Sequence, residues 1–152
     1  MLPWDIKSNK IKKISIDKER SKAISNSVLI REKFMKDKDE KEFASIFLEN
    51  NYEVIKELIT ALMYLDGYKT LSHEYLISFP SKFYKNFSEY EINLIDKLRI
   101  TRNKIAYEGF LVEPDYYINK KKDIIDIIEK LKNTINNKLE DQSSVNNHAK
   151  NI

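Results

Sequence analysis

The clearest period in the chain lies between about Glu40 and Leu65. There Phe43, Ile46, Phe47, Val54, Leu58, Leu62 and Leu65 recur at the spacing of one face of an α-helix. Asp66-Gly67 supplies the stop, a pair suited to a left-handed C-cap. The middle of this helix is broken by Asn50, Asn51, Tyr52 and Glu53, polar groups set into an apolar stripe. Upstream, Asp17 reads as the N-cap of a helix from Lys18 to about Lys36, with Ala23, Ile24, Ser27, Leu29, Ile30 and Phe34 near one side. Downstream, Ser72-His73-Glu74 opens a shorter helix to about Tyr84, with a bend expected near Pro80. Ser88 and Glu91 have the spacing of a capping box and start a helix to about Tyr107, with Ile92, Ile95 and Leu98 on its stripe and Gly109 at its end. Pro114 suits the first turn of a last helix carrying Tyr117, Ile124, Ile128, Leu131, Ile135 and Leu139. No segment predicts a strand. The reading is all-α, an antiparallel bundle of four to five helices over residues 17–141. A basic arm at 1–16, with Lys7, Lys10, Lys12, Lys13 and the single Trp4, precedes it, and a polar tail at 142–152 follows.

Composition narrows the chemistry. A chain of 152 residues suits one domain with a core that needs no covalent staples. It has no cysteine, which excludes disulfides and thiolate metal sites, and its histidines, His73 and His148, are far apart. With two glycines and three prolines, the chain has neither a G-x-x-x-x-G-K phosphate loop nor a G-x-G-x-x-G dinucleotide loop. No cofactor is expected. The net charge of +3 is mildly basic. No apolar run approaches the ~20 residues of a membrane span, so a cytoplasmic protein without a membrane partner is expected.

Charge placement then singles out one segment. Continuing the stripe of Ile92, Ile95 and Leu98 by helical steps reaches Arg102, where a leucine would ordinarily be buried. A guanidinium stays charged, so a buried one needs carboxylate, amide or phosphate partners. Asn103 adjoins it, and Arg99, Asn103 and Tyr107 form a polar row one turn apart, with Lys104 alongside. An Arg, Asn and Tyr cluster at a helix end is a candidate anion site. Glu53 or Glu57, in the polar break of the second helix, is a candidate carboxylate partner for Arg102. The alternative is structural: Arg102 bridges two helices through one of these glutamates, and Tyr107 is a core aromatic.

The segment Arg102-Asn103-Lys104-Ile105-Ala106, followed by the Gly109 break, resembles the HEPN domain. The resemblance extends to Glu57-Leu58-Ile59-Thr60-Ala61-Leu62, to Asp66-Gly67-Tyr68-Lys69 and to Ser72-His73-Glu74, and it covers roughly Asp17 to Leu139. It implies an all-α bundle that forms a homodimer. In many members it implies a metal-independent endoribonuclease toxin encoded beside a minimal nucleotidyltransferase. The family motif is an arginine, a polar residue, and a histidine four to six positions on. The first two bind phosphate, and the histidine serves as acid/base for attack by the ribose 2′-hydroxyl. Arg102 and Asn103 match the first two positions, and Tyr107 stands at the third. Tyrosine ionises at about pH 10 and histidine near 6.5, so a tyrosine there is a poor general base. The resemblance therefore implies an RNA- or nucleotide-binding homodimer of the toxin–antitoxin or defence class. Arg102, Asn103 and Tyr107 take the motif positions, Arg99 and Lys104 contact nucleic acid, Glu53 and Glu57 support, and ribonuclease activity is weak or absent. The rival is a non-catalytic helical dimer that docks a partner protein such as a nucleotidyltransferase. Ile100, apolar and off the main stripe, places the helix from Ser88 to Tyr107 in the dimer interface. His73, at the start of another helix, is expected at the surface or in a helix cap.

Overall fold

The computed structural model describes the backbone of residues 1–150 and side chains through Gln142; the polar tail expected from Gln142 onward falls almost wholly outside the described side chains. The chain is mostly helical. In order, it forms β1 (Ile11–Lys13), α1 (Lys18–Met35), α2 (Ala44–Asp66), β2 (Tyr68–Thr70), α3 (His73–Phe83), α4 (Glu89–Glu108) and α5 (Pro114–Lys150). The central element is α2, against which α1, α3, α4 and α5 all pack. Its buried residues fall on more than one side: Leu48, Tyr52, Val54, Ile55, Leu58, Ile59, Leu62 and Leu65 are all at most 1% exposed. The buried face is broader than the predicted stripe, since Tyr52, Ile55 and Ile59 join it, while Phe43 and Ile46 of that stripe are 36% and 53% exposed at the start of the helix.

Local chemistry sets the helix ends. The Asp17 side chain accepts from the Arg20 amide at 2.9 Å and starts α1. Ser88 and Glu91 form both halves of the expected capping box. Gly67 (φ +79°) and Gly109 (φ +67°) end α2 and α4 in the left-handed region that favours glycine. The start of α2 differs from expectation: Ala44 opens it rather than Glu40, because the Asp39 carboxylate takes the amides of Lys41 and Glu42 at 2.9 and 3.0 Å and holds those residues in a turn.

Two further expectations are corrected. Strands exist: β1 and β2 pair antiparallel, with Ile11 opposite Thr70, Lys12 opposite Lys69 and Lys13 opposite Tyr68. The first residues are thereby tied to the body. Ile14 donates to the Gly67 carbonyl at 2.9 Å and Asp17 to the Tyr64 carbonyl at 3.1 Å. Trp4 sits edge-on to Tyr68, Phe79 and Phe83. The second correction is the face of α1. Ser21, Val28 and Met35 are buried, whereas Leu29, Ile30 and Phe34 are 57%, 72% and 66% exposed. The inward seam also carries Arg31 and Glu32, which pair with Glu57 (2.9 Å) and Lys132 (2.6 Å). Those ion pairs hold α1 by a polar seam that hydrophobicity alone does not mark.

Candidate functional site

Three elements meet at the half-buried polar break of α2. From α2 come Tyr52, Glu53 and Lys56; from the first turn of α3, His73 and Glu74; from α4, Asp96, Arg99 and Arg102. Leu98 and Ile95 are buried beneath, so Arg99 and Arg102 lie at the margin of the α4 core face. The Arg102 guanidinium stands 3.3 Å from Glu53, with its side chain 24% exposed. Glu53 also pairs with Lys56, so one carboxylate faces two cations. Burial works against the charge on Arg102. The neighbouring Tyr107 hydroxyl and the Glu53 carboxylate outweigh it, and the arginine pKa rises above its ordinary value.

The other candidates divide. Arg99 is taken up by carboxylates, Asp96 at 2.9 Å and Glu74 at 4.0 Å. Asn103 is half-buried and Lys104 is exposed, both next to Arg102 in sequence. Tyr107 is 79% exposed, so the core-aromatic reading is wrong for it; its helix face turns outward at the last turn of α4. Glu57 does not belong to the cluster, because Arg31 of α1 holds it. Of the two glutamates offered as partners for Arg102, the structure selects Glu53.

The sequence reading missed two residues. Ser72, not His73, caps α3. His73 turns inward, and its Nδ1 hydrogen-bonds the Tyr52 hydroxyl at 3.0 Å. Burial, then Lys56, with Arg102 and Arg99 adding and Glu53 opposing, lowers the His73 pKa and favours the neutral ring. Burial and the nearby Glu53 raise the Tyr52 pKa, so its hydroxyl keeps its proton. The signal was the run Asn50–Glu53 inside an apolar helix. Asn51 serves Tyr117 of α5 at 2.9 Å, and Tyr52 serves His73. Neither partner can be named without the fold.

Chemically the cluster offers donors. A guanidinium has five N–H groups, and Arg102 sets them beside the Glu53 carboxylate and the Tyr107 hydroxyl, without a fork between two paired carboxylates. The Asn103 amide, the Lys104 ammonium and the Tyr107 hydroxyl extend this donor set outward along α4. No group of His, Asp and Glu among the described residues has the arrangement of a metal site, and no described helix is long and apolar enough to cross a membrane. Comparison with protein-family models, with curated proteins and with solved structures finds no match in any of the three.

Proposed function

We propose that this chain is an HEPN-like RNA- or nucleotide-binding homodimer of a toxin–antitoxin or defence system, with its helices arranged as an antiparallel bundle. Arg102 and Asn103 engage phosphate, Lys104 adds charge, and Tyr107 donates a hydrogen bond where the family places its histidine. The observation that carries this reading is the sharing of Glu53: Arg102 and Lys56 divide one carboxylate, and the Arg102 donors continue into the exposed row of Lys104 and Tyr107. Arg99 is a positioning residue in this reading, since Asp96 and Glu74 already hold it. Ribonuclease activity is weak or absent, because a tyrosine stands where the family's mechanism uses a histidine as acid/base.

Fluorescence anisotropy with a labelled single-stranded RNA tests this. Arg102→Ala should weaken binding at least tenfold with the helix content intact. Lys104→Ala should reduce the salt slope by about 0.7, the value for one lost contact to a single strand. Absence of RNA binding by the unmodified chain at low salt would return Arg102 to an inter-helix bridge. A second reading has its own support. Ile100, Phe110 and Leu111 are 43%, 48% and 76% exposed along α4 and the link after it. Such a strip suits a protein partner, whether a second copy or a nucleotidyltransferase.

A further inference from the structure

A groove of about 960 Å³ runs between the β1–β2 ladder and the adjoining faces of α2 and α3. Lys10, Lys12, Lys56, Lys69 and His73 line it, and no acidic residue does. Of these lysines, Lys56 is already paired with Glu53. Among the described residues, no carboxylate pairs with Lys10, Lys12 or Lys69. Lys12 and Lys69 are moreover directly opposite each other in the ladder. Like charges facing across a strand pair repel and weaken it, so this pairing has no structural rationale in the free chain. An anion between them removes the conflict.

The rest of the groove suits a particular kind of anion. Ser72 and His73 bring the amino-terminal turn of α3 and its positive dipole end to the wall, although the Ser72 amide donates to Thr70 Oγ1 and the Tyr75 amide to the Ser72 cap. Met63 and Leu76, both nearly inaccessible, form an apolar floor. Leu71, between β2 and the α3 cap, is 100% exposed at the edge of the same groove. Cationic and apolar linings side by side match a phosphate joined to a flat ring. The volume lies at the upper end of the roughly 300–1,000 Å³ of small-molecule sites.

We propose that this groove is a second anion site, which adjoins the Arg102 cluster through Lys56 and His73 but does not include Arg102, and that it binds a nucleoside phosphate. The phosphate lies on Lys10, Lys12, Lys69 and the start of α3, and the base lies along the groove against Tyr64 and Leu71, with the methyls of Met63 and Leu76 close behind. The nucleotide is either free or the phosphorylated end of a strand.

Calorimetry and methyl-detected NMR on the full chain test the site with AMP, adenosine, inorganic phosphate and a 5′-phosphorylated tetrauridylate. AMP should bind at least tenfold more tightly than adenosine and than inorganic phosphate, and it should shift the Leu71, Leu76 and Met63 methyl resonances. Tighter binding of the tetrauridylate than of AMP would identify a strand end as the source, and the reverse a free nucleotide. Lys69→Glu should weaken AMP at least tenfold while raising the Tm, because the repulsion with Lys12 becomes an attraction. The double variant Lys12→Met with Lys69→Met should show the same loss of AMP binding without introducing a new charge. Arg102→Ala should leave AMP affinity within twofold. RNA binding that ignores Arg102→Ala would therefore overturn the function proposed above and leave the groove standing. Equal affinity for AMP and adenosine, AMP binding insensitive to both lysine variants, or no AMP binding at millimolar concentration would overturn the groove.

Discussion

His73 is held in its uncharged form by burial and by the cations of Lys56, Arg102 and Arg99, against the pull of Glu53. Its pKa in the folded chain lies below the ordinary value of 6.5, so the unfolded chain takes up the proton first. The stability that this supplies is present above pH 6.5 and is lost as the pH falls through the folded value. Glu91, lowered by Lys130 and the Ser88 cap in spite of its burial, loses stability in the same direction at lower pH. The urea midpoint should therefore fall between pH 7 and pH 5, and His73→Gln should flatten that fall. An unchanged slope in the variant would place the titration elsewhere. Tyr107 makes the complementary residue-scale prediction. Its side chain is 79% exposed, so Tyr107→His meets no packing obstacle, and the imidazole would stand beside Arg102. General acid–base help is worth about 10²–10⁴-fold. In the proposed reading Tyr107→His gains metal-independent RNA cleavage in a gel assay, and adding Arg102→Ala abolishes it. Cleavage by the unmodified chain that Tyr107→Phe removes would show instead that the phenol itself takes part.

The helix ends were legible element by element because their signals are local. Ser88 with Glu91, Asp17, Gly67 and Gly109 all act within about one turn of themselves, and each does what its spacing says. Replacing Ser88 with Ala should cost about 1 kcal/mol by urea denaturation, the usual worth of a cap. The two glycines are distinguishable. A Cβ on Gly109 meets nothing within 4 Å, whereas one on Gly67 comes to 2.9 Å from the Ile14 carbonyl oxygen. Gly109→Ala should then cost roughly 1–2 kcal/mol for the left-handed backbone alone. Gly67→Ala should cost clearly more, and equal losses would contradict the close approach to Ile14. What stayed illegible depends on partners far away in sequence. The strands are too short to show a period, and each exists only because the other is there. The apolar residues of α1 outnumber those its neighbours can cover, so periodicity pointed to Leu29, Ile30 and Phe34 while packing chose Val28 and Met35. Arg102 was legible as a misfit on its stripe. The Tyr52–His73 contact was not, since it joins a helix middle to a helix start.

For the whole molecule, the proposed homodimer puts Ile100 and the link after α4 in its interface. Ile100→Glu should convert a dimer of the 18.1 kDa chain to monomer by light scattering, while Ile30→Glu on the outer face of α1 should not. The converse result would move the interface to α1. The strand pair carries a different consequence, one of timing. Ile11 meets Thr70, and everything in α1 and α2 lies between them. Closing so long a loop carries an entropic cost, set against the short ladder, the Trp4 cluster and the bonds of Ile14 and Asp17 to the end of α2. The leading segment can pair only with residues that come after α2 in the chain. The strand that walls the groove is therefore expected to open ahead of the α2 core. Its backbone amides, Ile11 to Lys13, should exchange with solvent well before those of α2, and whatever fills the groove acts as a clasp on the beginning of the chain.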